Sequence, residues 1–174
     1  PPAGPAKLAP GSLEHPDALA MASGPGSPRI TLYHAPGSRS LRVRWLLEEL
    51  ALPHRLLQVG RDVEMQEYAA RFPMMPAMTD GELEMVESGA IIEYLVERHG
   101  GGKLTPPDDC RAEYLEWLHF AEGTLAMPLI LNSLEPMFGG YSDRLKGFVS
   151  AEVTKQLDYL EDHMKDREWL LGDV

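Results

Sequence analysis

Strand-like runs in this chain are confined to residues 30–86, and every apolar repeat beyond them has helical spacing. That segregation restricts the fold to a small α/β unit followed by helices. Ile30-Thr31-Leu32-Tyr33 is a short β-rich run. After a Pro36-Gly37 turn, Val43, Leu46, Leu47 and Leu50 recur as one helical face, which Leu52-Pro53 closes. Residues 54–59 form a second strand candidate, which the intervening helix sets parallel to the first through a right-handed crossover. A short helix is predicted over 64–72. Two more strands, 77–79 and 83–86, flank Asp80-Gly81, a preferred hairpin dipeptide. Ser88 then caps a helix whose apolar face is Ile91, Ile92, Leu95 and Val96 and whose stop is Gly100. The order is βαβ-α-ββ-α, complete by residue 100.

The glycine-rich connection from Gly100 sets a boundary near residue 105. Past it, Tyr114, Trp117, Leu118, Ala121 and Leu125 make one helical pattern over 111–131, kinked or ended at Pro128. Ser142 or Asp143 starts another helix, with a seam through Leu145, Val149, Val153, Leu157, Leu160 and Met164. Three parts are thus expected: a tail over 1–29, an α/β domain over 30–104 and an all-helical domain over 105–174. The tail is rich in Pro, Gly, Ala and Ser, lacks the apolar core of a signal peptide, and is predicted to be disordered. Residues before Met21 read as an upstream extension.

The formal charge is −11, and residues 1–29 contribute none of it, because Lys7 and Arg29 balance Glu14 and Asp17. Such a surface repels phosphate backbones, so no nucleic acid partner is expected. No apolar run approaches the roughly 20 residues of a membrane span, so no membrane partner is expected either. With Cys110 as the single cysteine there is no intramolecular disulfide and no CxxC pair, which suits a reducing, cytoplasmic compartment. Cys110 itself reads as a bystander. The six histidines show no HxxxH or HxH spacing, and no metal site is expected.

Two stretches carry more information than the periodicity. The first runs Leu32-Tyr33-His34-Ala35-Pro36-Gly37-Ser38-Arg39-Ser40-Leu41-Arg42-Val43, followed by Trp45-Leu46-Leu47-Glu48-Glu49-Leu50. The second comprises Met75-Pro76-Ala77-Met78, Asp80-Gly81, Glu87-Ser88, Ala90-Ile91 and Tyr94-Leu95. Together with Tyr114-Leu115-Glu116-Trp117-Leu118-His119-Phe120-Ala121-Glu122-Gly123, they resemble the glutathione S-transferase family, in its serine-type bacterial and fungal members. The resemblance covers residues 30–174. It implies a thioredoxin-like domain that binds glutathione as co-substrate and an all-α domain that covers a second substrate, a small hydrophobic electrophile or a peroxide. It also implies a homodimer.

The same resemblance assigns roles. Pro76 is expected to follow a cis peptide bond that turns the backbone of Met75 toward the tripeptide, as an added strand. Glu87 and Ser88 would hold the γ-glutamyl zwitterion, the carboxylate taking its ammonium and the hydroxyl and helix-start amides its carboxylate. Ser38 is the first candidate to stabilise the glutathione thiolate, with Tyr33 and Ser40 as alternative hydroxyls. Lowering a thiol pKa of about 8.5 by ~2 units takes ~2.7 kcal/mol, a plausible share for a hydroxyl and a helix N-terminus. Arg39 stands where disulfide-exchanging members carry a cysteine, which disfavours thiol transfer.

The chain departs from the family pattern in two places. Phe72-Pro73-Met74-Met75-Pro76 lacks the usual cation for the glycyl carboxylate, and Arg71 and Arg39 are the candidates to replace it. The chain also stops at Val174, where the family continues into a central helix, so the helical domain is expected to be incomplete, with Leu118, Leu125, Val149 and Val153 left exposed. A glutathione transferase is the first reading, and a non-catalytic binding or stress-related protein on the same fold is the alternative.

Overall fold

The computed structural model describes residues 28–172. The tail expected over 1–29 therefore lies outside the described residues up to residue 27, while Arg29 belongs to the folded unit through a 3.1 Å contact from Nε to Asp80 Oδ1.

Four strands form one mixed sheet in the order β2-β1-β3-β4. They are β1 (Ile30–His34), β2 (His54–Gln58), β3 (Ala77–Asp80) and β4 (Leu83–Val86). Strand β1 pairs parallel with β2 and antiparallel with β3, and β3 pairs antiparallel with β4. The parallel pair is joined by helix α1 (Ser40–Glu49), and β2 leads to β3 through α2 (Met65–Arg71). After β4 comes α3 (Ser88–His99), closed at Gly100, whose N–H donates to Val96 O at 3.0 Å. A thioredoxin-like α/β unit is therefore followed by helices, as the residue pattern requires.

Alternation along β1 splits the core between the two sheet faces. Ile30 and Leu32 pack with Val43, Leu46 and Leu47 of α1 and Ile91, Leu95 and Val96 of α3. Tyr33 points the other way, into a cluster with Leu57, Val59, Val63, Tyr68, Phe72 and Ala77. Helices α1 and α3 thus share one face while α2 covers the other.

Details at the turns differ from the sequence reading. Asp80 is not a turn residue but pairs with Leu83 as the last rung of the hairpin. Gly81 takes the first central turn position with φ +63°, which glycine adopts without the Cβ penalty. Ser88 is the first residue of α3 rather than its cap. The cap position falls to Glu87, which makes no side-chain cap bond.

The helical stretch expected over 111–131 is present without a gap but contains a π-helical turn. Helix α4 (Arg111–His119) passes into a π-helical turn (Phe120–Leu125) and then α5 (Ala126–Leu134). Pro128 lies in the first turn of α5, where a proline is tolerated, and the wider turn before it accommodates the missing amide bond. After a 3₁₀ turn, α6 (Asp143–Met164) starts at Ser142, whose side chain accepts from Leu145 N. Trp117 anchors this part, stacked on Tyr159 with ring centroids 5.6 Å apart and 4.4 Å from the His163 ring. Of the four residues expected to be exposed, Val149 is buried and Leu118, Leu125 and Val153 are half-buried, so the helices cover this part of the seam only in part. Exposed apolar side chains in this part include Leu145 and Leu157 of the same seam, together with Met127, Met137, Phe138 and Phe148. No helix among the described residues is long and apolar enough to cross a membrane.

Candidate active site

The sheet register builds one end of the molecule from three chain segments. Tyr33 pairs with Ala77, and Ala77 pairs with Val86. The loop leaving β1, the residues entering β3 and the corner leaving β4 therefore meet at the same sheet edge. Both α1 and α3 also begin there, since each helix follows a strand that runs toward that edge and then turns back over the sheet. Neither carries an acidic side chain in its first turn, and the acidic residue next to either start along the chain is Glu87, at the cap position of α3.

In the first segment, Ser38 is half-buried and its hydroxyl donates to Ala35 O at 2.7 Å. Its Oγ lies 2.6 Å from Ser40 Oγ. Ser40 is fully buried and turned inward, where its hydroxyl meets His34 Nδ1 at 2.7 Å. Burial, with the nearby Arg44 charge adding to it, holds the His34 imidazole below its ordinary pKa. Ser38 is thus the more accessible hydroxyl of the pair. Tyr33 is not brought to the serines. It lies on the other sheet face, accepting from Arg71 Nη1 at 3.1 Å. Burial raises its phenol pKa, an effect that the Arg71 charge only partly opposes.

The second segment contains the Met75–Pro76 peptide, which is cis. Pro76 is fully buried, and the Tyr68 hydroxyl pins the preceding loop by donating to Met74 O at 2.6 Å. Burial, with a smaller contribution from Tyr33, pushes the Tyr68 phenol up to about 12, so it remains a donor at any physiological pH. In the third segment, Glu87 adopts φ +72° and ψ 107°. A residue with a Cβ held there costs about 1–3 kcal/mol and marks a corner that the surrounding structure over-determines. Its neighbour Ser88 is buried at the first turn of α3, and Glu87 is exposed.

A family model described as the N-terminal domain of glutathione S-transferases matches residues 32–103. Glutathione S-transferase 3 of Schizosaccharomyces pombe is 31% identical over 165 residues, covering 83% of this chain and 67% of that protein. The chain belongs to the glutathione S-transferase family. Maize glutathione S-transferase 3 is 30% identical over 83% of this chain and 71% of its own length. Beauveria bassiana glutathione S-transferase-like protein OpS6 is 39% identical, but the match spans only 38% of that protein. Among solved structures, a glutathione transferase family member from Pseudomonas fluorescens Pf-5, crystallised with two glutathione bound, superposes with a TM-score of 0.74 at 27% identity, covering 90% of this chain and 75% of that one.

For a glutathione S-transferase, the arginines near this edge are notably committed. Arg39 Nε lies 2.6 Å from Glu122 Oε2, and Arg42 reaches the other oxygen of the same carboxylate. Glu122 sits in the π-helical turn, so this pair ties the loop beside Ser38 to the helical part. Arg71 donates from Nε to Glu84 Oε1 at 2.9 Å and spans to Tyr33. The sequence alone does not single out His34, Arg42 or Glu122. The one available signal was that His34 shares strand parity with the core residues Ile30 and Leu32. No group of three or more His, Cys, Asp or Glu side chains among the described residues could hold a metal ion.

Proposed function

We propose that this chain is a glutathione transferase. It binds glutathione at the edge where the Ser38 loop, the cis Met75–Pro76 peptide and the Glu87-Ser88 corner meet. The reading is carried by the register from Tyr33 through Ala77 to Val86, which gathers those segments beside two helix N-termini. The backbone of Met75 would pair with the tripeptide, and Glu87 and Ser88 would hold its γ-glutamyl end. The Ser38 hydroxyl and the start of α1 would favour the sulfur anion over the thiol. That anion then attacks a small hydrophobic electrophile and displaces its leaving group to form a thioether. Alternatively it attacks a peroxide oxygen, releasing the alkoxide as the O–O bond breaks and leaving a glutathione sulfenic acid that a second glutathione converts to the disulfide and water. In this reading residues 30–104 form the glutathione domain and 105–174 the helical cover, in a cytoplasmic homodimer.

An ultraviolet difference titration of bound glutathione tests the central step. The thiol is expected to ionise well below its free value of about 8.5 in the wild type and to move back toward it in Ser38→Ala. Identical ionisation in both proteins removes Ser38 from the role.

A second reading, a non-catalytic binding protein, is favoured by one observation. Both candidate partners of the glycyl carboxylate are already paired, Arg71 with Glu84 and Arg39 with Glu122. Thioether formation from glutathione and an electrophilic halonitroarene separates the two, since glutathione binding without turnover supports the second.

A further inference from the structure

Three side chains form a continuous hydrogen-bonded row from the core to the site edge. His34 Nδ1 lies 2.7 Å from Ser40 Oγ, and Ser40 Oγ lies 2.6 Å from Ser38 Oγ. The inner two are buried, so bulk water does not compete for their protons. The Ala35 amide also donates to Ser40 Oγ at 3.2 Å. The Ala35 carbonyl is 2.7 Å from Ser38 Oγ and 3.2 Å from Ser40 Oγ.

A hydroxyl has one proton and two lone pairs, so the imidazole sets the direction of the whole row. With no proton on Nδ1, Ser40 donates inward to His34. The Ala35 amide then fills one lone pair of Ser40, and the other draws the Ser38 proton inward. With a proton on Nδ1, His34 and the Ala35 amide fill both lone pairs of Ser40. The Ser38 proton can no longer point at Ser40, and its remaining acceptors are the Ala35 carbonyl and whatever anion stands outside.

We propose that His34 is a positioning residue which, as the Nδ1–H tautomer, acts through Ser40 to turn the Ser38 hydroxyl outward as donor to the glutathione sulfur. This rests on the reading of Ser38 given above. Ser40 is wholly enclosed and cannot reach the sulfur itself, so the two serines have different tasks. Donors aligned in one direction polarise one another, which strengthens the outermost bond. Burial, with the Arg44 charge adding to it, lowers the His34 pKa and so favours the neutral ring, whose tautomer sets the direction.

Nitrogen-15 shifts of the His34 ring in the full chain with glutathione bound read the tautomer directly. The Nδ1–H signature is expected, and an Nε2–H signature overturns the proposal. In thiol titrations, His34→Leu is expected to reduce the thiolate fraction at neutral pH by about three- to tenfold, the worth of one neutral hydrogen bond. His34→Asn, whose amide N–H reaches the Nδ1 position, is expected to recover most of it. A folded His34→Leu protein that ionises bound glutathione like the wild type overturns the proposal while leaving Ser38 in its role. A Ser38→Ala protein with unchanged ionisation instead removes the reading beneath it. Should His34→Leu fail to fold, the tautomer of the wild type decides alone.

Discussion

Asp80 is expected to be the most sensitive polar position away from the site, and Asp80→Asn tests how the sheet is held in register. The carboxylate is 5% exposed at the end of β3. Its Oδ2 accepts from the Tyr94 hydroxyl at 2.9 Å and meets His99 Nε2 at 2.8 Å, while Arg29 Nε donates to Oδ1 at 3.1 Å. One acidic side chain thus ties the approach to β1, the end of β3 and the helix α3 at the edge opposite Ser38. Bonds to a charged acceptor contribute about 1.5–3 kcal/mol each. The Arg29 side chain is 78% exposed, which reduces its share to little. Asparagine keeps one acceptor and presents an amide to donors, so a loss of about 2–4 kcal/mol is expected. At about 2–4 °C per kcal/mol for a domain of this size, the melting temperature falls by roughly 5–15 °C at neutral pH. The pH dependence carries a sign. Burial pushes the Asp80 carboxyl up, but the bonds from Tyr94, His99 and Arg29 together outweigh it and hold it below the ordinary value. A depressed folded pKa stabilises above the unfolded value of about 3.9, and that contribution is lost as pH falls through the folded value. The gap between wild type and Asp80→Asn should therefore narrow in acid. Thermal unfolding followed by circular dichroism from pH 7 downward measures it. Equal melting temperatures at pH 7, or a gap that widens in acid, would refute the reasoning.

Two further perturbations follow from the site. Glu122→Gln leaves Arg39 and Arg42 without their shared carboxylate; because the Glu122 side chain is 31% exposed, the cost should be only about 1 kcal/mol and should shrink in high salt, which thermal melts at two ionic strengths will read. Glu87→Gly relieves a backbone at φ +72° that glycine adopts freely, so stability should hold or rise by up to about 1 kcal/mol while glutathione affinity measured by calorimetry falls. A simultaneous loss of both stability and affinity would count against strain at that corner.

The order of elements along the chain was legible because alternation and the break into helical spacing are local properties, whereas the pairing of β1 with β3 was not. The hairpin was nearly so: Asp80-Gly81 marks the turn, but only the ladder reveals that Asp80 is its last rung and can spend its side chain on α3. Ser38 and Ser40 are equivalent as letters in a loop. The start of α1 alone decides that Ser40 is buried against His34 while Ser38 stays half-buried and more accessible. Alternation likewise says that Tyr33 and His34 face opposite ways without saying which faces the helix. The pairing of Glu122 with Arg39 and Arg42 joins positions about 80 apart in the chain, for which the residues carry no local signal.

A crystal structure of the chain with glutathione tests the central claim most directly. The sulfur is expected within about 3.5 Å of Ser38 Oγ, with the γ-glutamyl group at Glu87 and Ser88 and the tripeptide backbone alongside Met75. Glutathione bound with its sulfur on the Tyr33 face of the sheet, or away from the β1–α1 loop, would contradict the account.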